Sequence, residues 1–264
     1  MFCLKAKPKI SIIIVNWNSK SWLKICIDSI YRQTKNLSFE IIIIDNASSD
    51  GSSQMVREKF PKVILTTNKR NLGFAKANNQ ALKSAKGKYI LLLNPDTVIL
   101  DNALEKMVKF MDSQPDAGVV GPKLLNRDGT VQFSCRHFYN LRTILLRRTV
   151  LGKIFSNSNL LQYHLMSTCS HNEVREVDWV LGSCLIIRRK VLNWIGYLDE
   201  KYKMYFEDVD LCYRVKKVGY KVYYYPEAII THYHQRESAQ KFSKKTIWHI
   251  QSAIRFFNKY GWKF

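Results

Sequence analysis

The chain has 264 residues, 46% of them hydrophobic, which is ample for one large or two small folded domains around a buried core. Its 42 Lys and Arg against 21 Asp and Glu give a formal net charge of +21, a balance that implies an anionic partner or surface. No apolar run approaches the roughly 20 residues of a membrane-spanning helix, the six cysteines show no CxxC or Cys/His spacing, and no signal peptide precedes them, so the reading is a cytoplasmic protein with reduced thiols.

Lys9 to Val15 is a continuous β-branched run, which predicts a strand buried on both faces as in a parallel sheet. It ends in Asn16-Trp17-Asn18-Ser19. Trp22 to Tyr31 has helical spacing through Leu23, Cys26, Ile27 and Ile30, and Phe39 to Ile44 is a second buried strand, so the three form a right-handed βαβ crossover. The polar turn Asp45 to Ser52 then opens a helix through Val56 and Phe60. Val63 to Thr66 reads as a third strand, Asn71 to Ala75 as a loop, Ala75 to Ala85 as a helix, and Lys88 to Leu93 as a strand ending at Asn94-Pro95-Asp96-Thr97. This first half is an open α/β sheet, and such sheets bind ligands at the carboxyl ends of their strands. Asn16, Asp45, Asn71 and Asp96 fall at four successive ends; each alone suits a turn, and together they mark a shared crevice.

Asp101 to Met111 predicts a further helix, followed by Gly118 to Pro122 and a β segment at Thr130 to Ser134. The α/β rhythm then lapses until Val177. Between Asp128 and Glu173 there is no acid, while Arg136, Arg142, Arg147, Arg148 and Lys153 are interleaved with Leu and Ile, and the stretch reads as an insertion or a lid. Order returns with Asp178 to Ile187, a short helix to Ile195, an acid-rich helix, a strand at Lys221 to Tyr225, and Pro226 to His234. In the acid-rich helix Glu207, Asp208 and Asp210 crowd the first turn, where the helix dipole favours acids, with Leu211, Val215 and Val218 on an apolar face. That suits either a plain helix start or a catalytic carboxylate. The tail after Glu237 is again acid-free. Phe242, Ile247, Ile250, Ile254 and Phe257 recur there at near-helical spacing among Lys241, Lys244, Lys245, Arg255 and Lys259, a pattern for a lipid interface or for packing on the sheet.

Seven segments resemble the family 2 glycosyltransferases of the GT-A fold, most closely their bacterial rhamnosyltransferase-like branch. They are Ser11 to Ser19, Ile44 to Ser52, Asn71 to Asn79, Leu92 to Thr97, Trp179 to Ser183, Glu207 to Leu211 and Pro226 to His232, in family order between residue 10 and about 238. Each is weak alone; the ordered set is specific. The resemblance implies a Rossmann-like nucleotide-sugar-binding α/β fold with a mixed central sheet, helices on both faces and a C-terminal amphipathic helix. It divides the chain into a glycosyltransferase domain over residues 1–238, with a nucleotide-sugar half at about 9–126 and an acceptor half at about 127–238, and a basic helix over 239–264.

Glycosyl transfer detaches a nucleotide diphosphate from C1 of a sugar as an acceptor hydroxyl attacks the opposite face. The leaving group gathers negative charge, so a divalent cation, Mn²⁺ or Mg²⁺, is implied. By the resemblance Asp96 and His232 hold that cation, with His234 as the rival histidine, and Asn94 stands where an acidic residue is usual. Asp208 matches the family base, which takes the acceptor proton; with one base and no covalent nucleophile, transfer inverts C1. Glu207, Asp210, Gly182 and Trp179 are expected on the acceptor side, with Glu207 and Asp210 also bracing the helix start and Trp179 stacking on a sugar or sitting in the core. Asp45 matches the reader of a pyrimidine base, Asn16 and Asn71 frame the nucleoside, and Asp50 either joins them or caps the next helix. The implied partners are a dTDP- or UDP-sugar, a glycan or polyprenyl-linked acceptor, and the anionic inner face of the cell membrane. Two other classes compete: a nucleotide-sugar or glycan binder without activity, motivated by Asn94, and a nucleic-acid binder, motivated by the charge but without an RNP, helix-turn-helix or zinc motif.

Overall fold

The computed structural model describes residues 7–148, 158–233 and 244–262. Four parallel strands form one side of a ten-stranded mixed sheet: β1 (Ile10–Asn16), β2 (Phe39–Asp45), β3 (Ile64–Thr67) and β4 (Tyr89–Leu93), in the order β3-β2-β1-β4. Between them run α1 (Lys20–Gln33), α2 (Ser52–Lys59) and α3 (Phe74–Ser84). The buried, β-branched character of β1 and β2 is explained by this position, since both faces are covered. Ile12, Ile14, Ile41 and Ile43 point to a core shared with α1, α2 and α4 (Ala103–Ser113), whereas Ile13, Ile42 and Ile44 point to a second core shared with α3 and the later helices.

The sheet continues from β4 through β11 (Cys184–Arg188), β6 (Ala117–Leu125) and β12 (Lys221–His232) to β5 (Thr97–Ile99). Strand β11 is antiparallel to both neighbours, β6 and β12 are parallel, and β12 and β5 antiparallel, which makes the sheet mixed as expected. Short strands β7 (Val131–Gln132) and β9 (Arg175–Val177) add to β6 and β12. A separate two-stranded ribbon pairs β8 (Cys135–Arg136) with β10 (Trp179–Val180). The segment from Asp178 to Ile187 is therefore not one strand: the chain turns at 181–183 and passes from the ribbon to the main sheet.

Within the stretch that lacked rhythm, the chain forms α5 (Leu141–Arg148) and α6 (Asn159–Leu165), so it contributes helices and a ribbon strand to the fold; Lys153 lies outside the described residues. Then come α7 (Arg189–Ile195), α8 (Glu207–Lys217), which carries the three acids in its first turn, and α9 (Lys244–Tyr260). Helix α8 lies close on β6 because position 118 is Gly; a Cβ there would sit 2.5 Å from Val215 Cγ1.

Helix α9 changes the reading of the tail. Ala253, Phe256 and Phe257 are buried in the core with Tyr213 and Phe206, so one face packs on the protein. Ile247 and Ile254 stay exposed at 43% and 44%, but Phe257 is lost to the expected lipid stripe and Ile250 is half-buried. Arg255 and Lys259, expected to meet headgroups, bind Asp199 at 2.8 and 3.1 Å instead. Lys241 and Phe242 lie outside the described residues. No helix among the described residues is long and apolar enough to cross a membrane.

Candidate active site

The carboxyl ends of β1 and β2 are in register, and Asn16 lies opposite Asp45. Asn16 Nδ2 donates to Asp45 Oδ2 and to Ser48 Oγ, each at 3.1 Å, and the Ser48 N–H donates to Asp45 Oδ1 at 2.8 Å. Asp45 is only 2% exposed, yet each carboxylate oxygen retains a lone pair beyond the donor it already has. Asn16 Oδ1 is buried and makes no hydrogen bond among the described residues, an acceptor in want of a donor. The loop after β3 folds over this end: Asn46 Oδ1 accepts from Leu72 N–H at 3.3 Å and from Asn68 Nδ2 at 2.9 Å. Asn71 is exposed on that loop and its Oδ1 accepts the Gly73 N–H at 2.9 Å. Asp50 has the capping role, accepting the Lys20 N–H of α1 at 2.7 Å and the Ser52 N–H of α2 at 3.0 Å. Trp17, next to Asn16, is 57% exposed; its indole offers an aromatic face at the crevice that sequence reasoning had not singled out, although an aromatic in a polar strand-end turn was the available signal.

The second group forms where β12 returns to β5. Pro226 falls within the register shift between Tyr225 and Ile229, as suits a residue with no N–H for the ladder. Beyond that bulge β12 pairs with β5, setting His232 opposite Thr97 and so beside Asp96. His232 Nε2 lies 3.4 Å from Asp96 Oδ1 and 3.4 Å from Asn94 Nδ2, while its Nδ1 faces Gln132 Oε1 at 2.8 Å. A Gln132 Oε1 that accepts from Nδ1–H would leave Nε2, on the Asp96 side, available to a cation, the arrangement that orients a metal-bound imidazole. One carboxylate oxygen and one imidazole nitrogen fit Mn²⁺ or Mg²⁺ as part of a shell that substrate oxygens complete. Among the described residues no group of three or more His, Cys, Asp or Glu is placed to hold a metal ion. Gln132 in this role was not legible, because a lone Gln in a two-residue strand carries no pattern. The rival His234 lies outside the described residues.

The third group is the head of α8. Tyr205 and Phe206 both adopt left-handed backbone, with φ of 66° and 68°, a costly conformation for bulky residues that turns the chain sharply into Glu207. Asp208 Oδ2 accepts the Gly182 N–H at 2.9 Å, and Oδ1 accepts the Val209 N–H at 2.9 Å. A Cβ at 182 would meet Asp208 Cβ at 3.3 Å, so glycine permits this approach. Gly182, expected on the acceptor side, thus has a nearer duty in holding Asp208.

Burial raises the pKa of both carboxyls. Glu207 is pushed up to about 8, first by burial and then by the charge of Asp208. Asp208 is also raised by burial, against the pull of the Gly182 and Val209 N–H groups and the Arg136 guanidinium. Glu207 Oε2 has no hydrogen-bond partner among the described residues, whereas both Asp208 oxygens accept backbone N–H groups, so the two carboxyls stand in different environments.

Two expected acceptor residues do not face the crevice. Trp179 is 3% exposed in the core, with its Nε1–H donating to His137 O at 3.0 Å and the Arg136 guanidinium 5.6 Å over its ring. Its position opposite Arg136 in the β8-β10 ribbon turns it inward. The same packing buries Arg136, one of the cations of the acid-free stretch. Asp210 is fully buried and its carboxylate is bound by Arg214, Lys259, Tyr202 and Tyr260, so it braces α8 and presents no face to an acceptor.

The mixed central sheet with helices packed on its two faces is the GT-A glycosyltransferase fold. The overall shape agrees: a mannosyltransferase from Pyrobaculum calidifontis in complex with GDP-Man and Mn²⁺ superposes with a TM-score of 0.62 at 19% identity, over 97% of this chain and 64% of that one. The model of Glycosyl transferase family 2 matches residues 11–193, and the chain belongs to that family. An N-acetylglucosaminyl-diphospho-decaprenol L-rhamnosyltransferase of Mycobacterium tuberculosis is 29% identical over 204 residues, 73% of this chain and 66% of that protein. This chain therefore spans just under two thirds of that relative. The rhamnosyltransferase WbbL of Escherichia coli is 26% identical over 252 residues, 93% of this chain and 91% of its own length.

Proposed function

We propose that this glycosyltransferase moves rhamnose or another hexose from a dTDP- or UDP-linked donor to a glycan or polyprenyl-linked acceptor, with inversion at C1, in the synthesis of a cell-surface polysaccharide. The observation that carries the reading is Asp208, held at the head of α8 by the Gly182 and Val209 N–H groups beside Glu207, whose carboxyl burial pushes up to about 8. Asp208 takes the proton of the acceptor hydroxyl as its oxygen bonds to C1 and the C1–phosphate bond breaks, the electron pair leaving with the nucleoside diphosphate. Asp45 receives the N3–H of the pyrimidine, Asn16 and Asn71 frame the nucleoside, and the exposed Trp17 offers a stacking face. Asp96 and His232 would be the residues that hold a divalent cation. What a bound Mn²⁺ or Mg²⁺ supplies is positive charge where the leaving group becomes negative.

The relatives' names support the acceptor class, since one printed activity is on a diphospho-decaprenol carrier. A polyprenyl acceptor lies in a bilayer, and an enzyme of net charge +21 is suited to the anionic inner surface of the cell membrane. The test is a donor-hydrolysis and transfer screen over dTDP- and UDP-sugars, with and without Mn²⁺, followed by NMR of the isolated glycoside. A product that keeps the donor's anomeric configuration, or turnover independent of divalent ions, defeats the reading.

A further inference from the structure

The buried carboxylate of Asp210 lies two residues beyond the base, yet two of its four partners come from the far end of the chain. Its Oδ1 accepts from Lys259 Nζ at 2.7 Å, Tyr260 OH at 2.8 Å and Tyr202 OH at 3.3 Å, and its Oδ2 from Arg214 Nε at 2.7 Å. The Arg214 guanidinium runs on to the carbonyls of Ile195, Gly196 and Tyr197 at 2.8 to 3.0 Å. Helix α9 holds the 196–206 loop at two further points, with Ser252 Oγ donating to Met204 O at 2.9 Å and Arg255 bound to Asp199 at 2.8 Å. From the other side Asn79 of α3 brackets Leu198, donating to its carbonyl at 2.9 Å and accepting its N–H at 3.1 Å. The loop so gripped ends in the left-handed pair Tyr205 and Phe206, and Phe206 packs against His249 and Phe256 of α9.

A buried ion pair contributes little net stability compared with apolar packing, whereas removing one partner strands a charge, so its plainest effect is to fix one arrangement. Here the arrangement fixed is the entry into α8. Strained backbone of this kind persists only where its surroundings over-determine it. We propose that Lys259 and Tyr260, acting through Asp210, are positioning residues for Asp208: the C-terminal helix clasps the first turn of α8 and so sets the base against the acceptor. The proposal rests on the assignment of Asp208 above.

A misplacement of 1 Å costs on the order of 10² in rate. The Lys259→Met/Tyr260→Phe variant should therefore lose about 10- to 100-fold in kcat while its affinity for the nucleoside diphosphate with Mn²⁺, by calorimetry, stays within about twofold. Lys259→Arg, which keeps the charge, should restore most of the rate. Should the double variant not fold, Tyr260→Phe alone removes one hydrogen bond without a charge, and a measurable kcat loss at unchanged diphosphate affinity is still expected. Unchanged kcat in a folded variant, or kcat and diphosphate affinity falling in proportion, overturns the clasp. Asp208→Asn measured in parallel separates the cases: near-normal turnover there removes the base and the clasp with it, whereas a large loss there beside unaffected clasp variants removes the clasp alone.

Discussion

Two adjacent carboxyls at the head of α8 differ in what each side chain touches. Asp208 has two backbone N–H donors; Glu207 has an unbonded buried oxygen. Asp208→Asn should leave donor affinity nearly unchanged and cut turnover by about 10²–10⁴, read by single-turnover kinetics. Burial and the neighbouring Asp208 push the Glu207 carboxyl from its ordinary 4.5 up to about 8. Between those values the folded chain keeps a proton that the unfolded chain has released, so stability falls as pH rises through the window. Glu207→Gln abolishes that loss, and its melting temperature should exceed the parent's by a few degrees at about pH 8.5 and by less at about pH 5. At the other end of the crevice, Asp96→Ala and His232→Ala should weaken nucleoside diphosphate binding only when Mn²⁺ is present, whereas Asp45→Ala should weaken it in either condition. Equal metal dependence for all three by calorimetry means that the division of the crevice is wrong.

At the scale of elements, α9 belongs to the core more than to the surroundings. Phe257 is 2% exposed, so Phe257→Ala should cost about 3–5 kcal/mol by denaturant titration, the usual penalty for emptying a buried aromatic site. A chain ending before α9 should lose cooperative unfolding, in contrast to what a detachable lipid helix would show. Asp199 adds a pH signature to this joint. Burial pushes its carboxyl up, but the bonds from Arg255 and Lys259 outweigh that and bring it from 3.8 to about 2. The joint therefore contributes stability above about pH 4 that is lost as pH falls toward 2. The tail sequence showed an amphipathic helix without showing what its apolar side meets, because a stripe suited to lipid and one suited to a sheet have the same period. By contrast β1, β2 and β4 were legible to within a residue, since a β-branched run buried on both faces has no good alternative. The lapse between Asp128 and Val177 came from strands of two and three residues, too short to carry a period. In the site, residues at strand ends were legible from position alone, whereas Gln132, Arg136 and the partners of Asp210 act through contacts between distant segments and left no local trace.

Across the whole molecule the charge is uneven in use. Arg255, Lys259, Arg214 and Arg136 are engaged inside the protein, and the remaining surplus of the +21 is what an anionic surface would meet. Near anionic lipid each engaged Lys or Arg contributes roughly 1 kcal/mol, so vesicle binding should be strong at low salt and fall steeply as salt is raised. Ile247, Ile254 and Trp262 remain exposed along and just beyond α9, and Ile254→Asp should weaken binding to anionic vesicles while leaving the melting temperature within a degree or two, as expected of a surface change. Vesicle binding equal to the parent's would move the contact surface elsewhere.

The late arrival of β12 has a consequence for how the enzyme comes into being. That strand lies between β6 and β5, both synthesised long before it, and it alone brings His232 to Asp96. A chain still emerging from the ribosome can build the parallel core from β1 to β4 while a slot stays open between β6 and β5. It then has Asp45 and Asp96 at their strand ends, but no His232 beside Asp96 and no α9 against α8. Under the roles proposed for Asp96, His232 and Asp208, chains lacking β12 and α9 should therefore neither hold nor hydrolyse a nucleotide sugar.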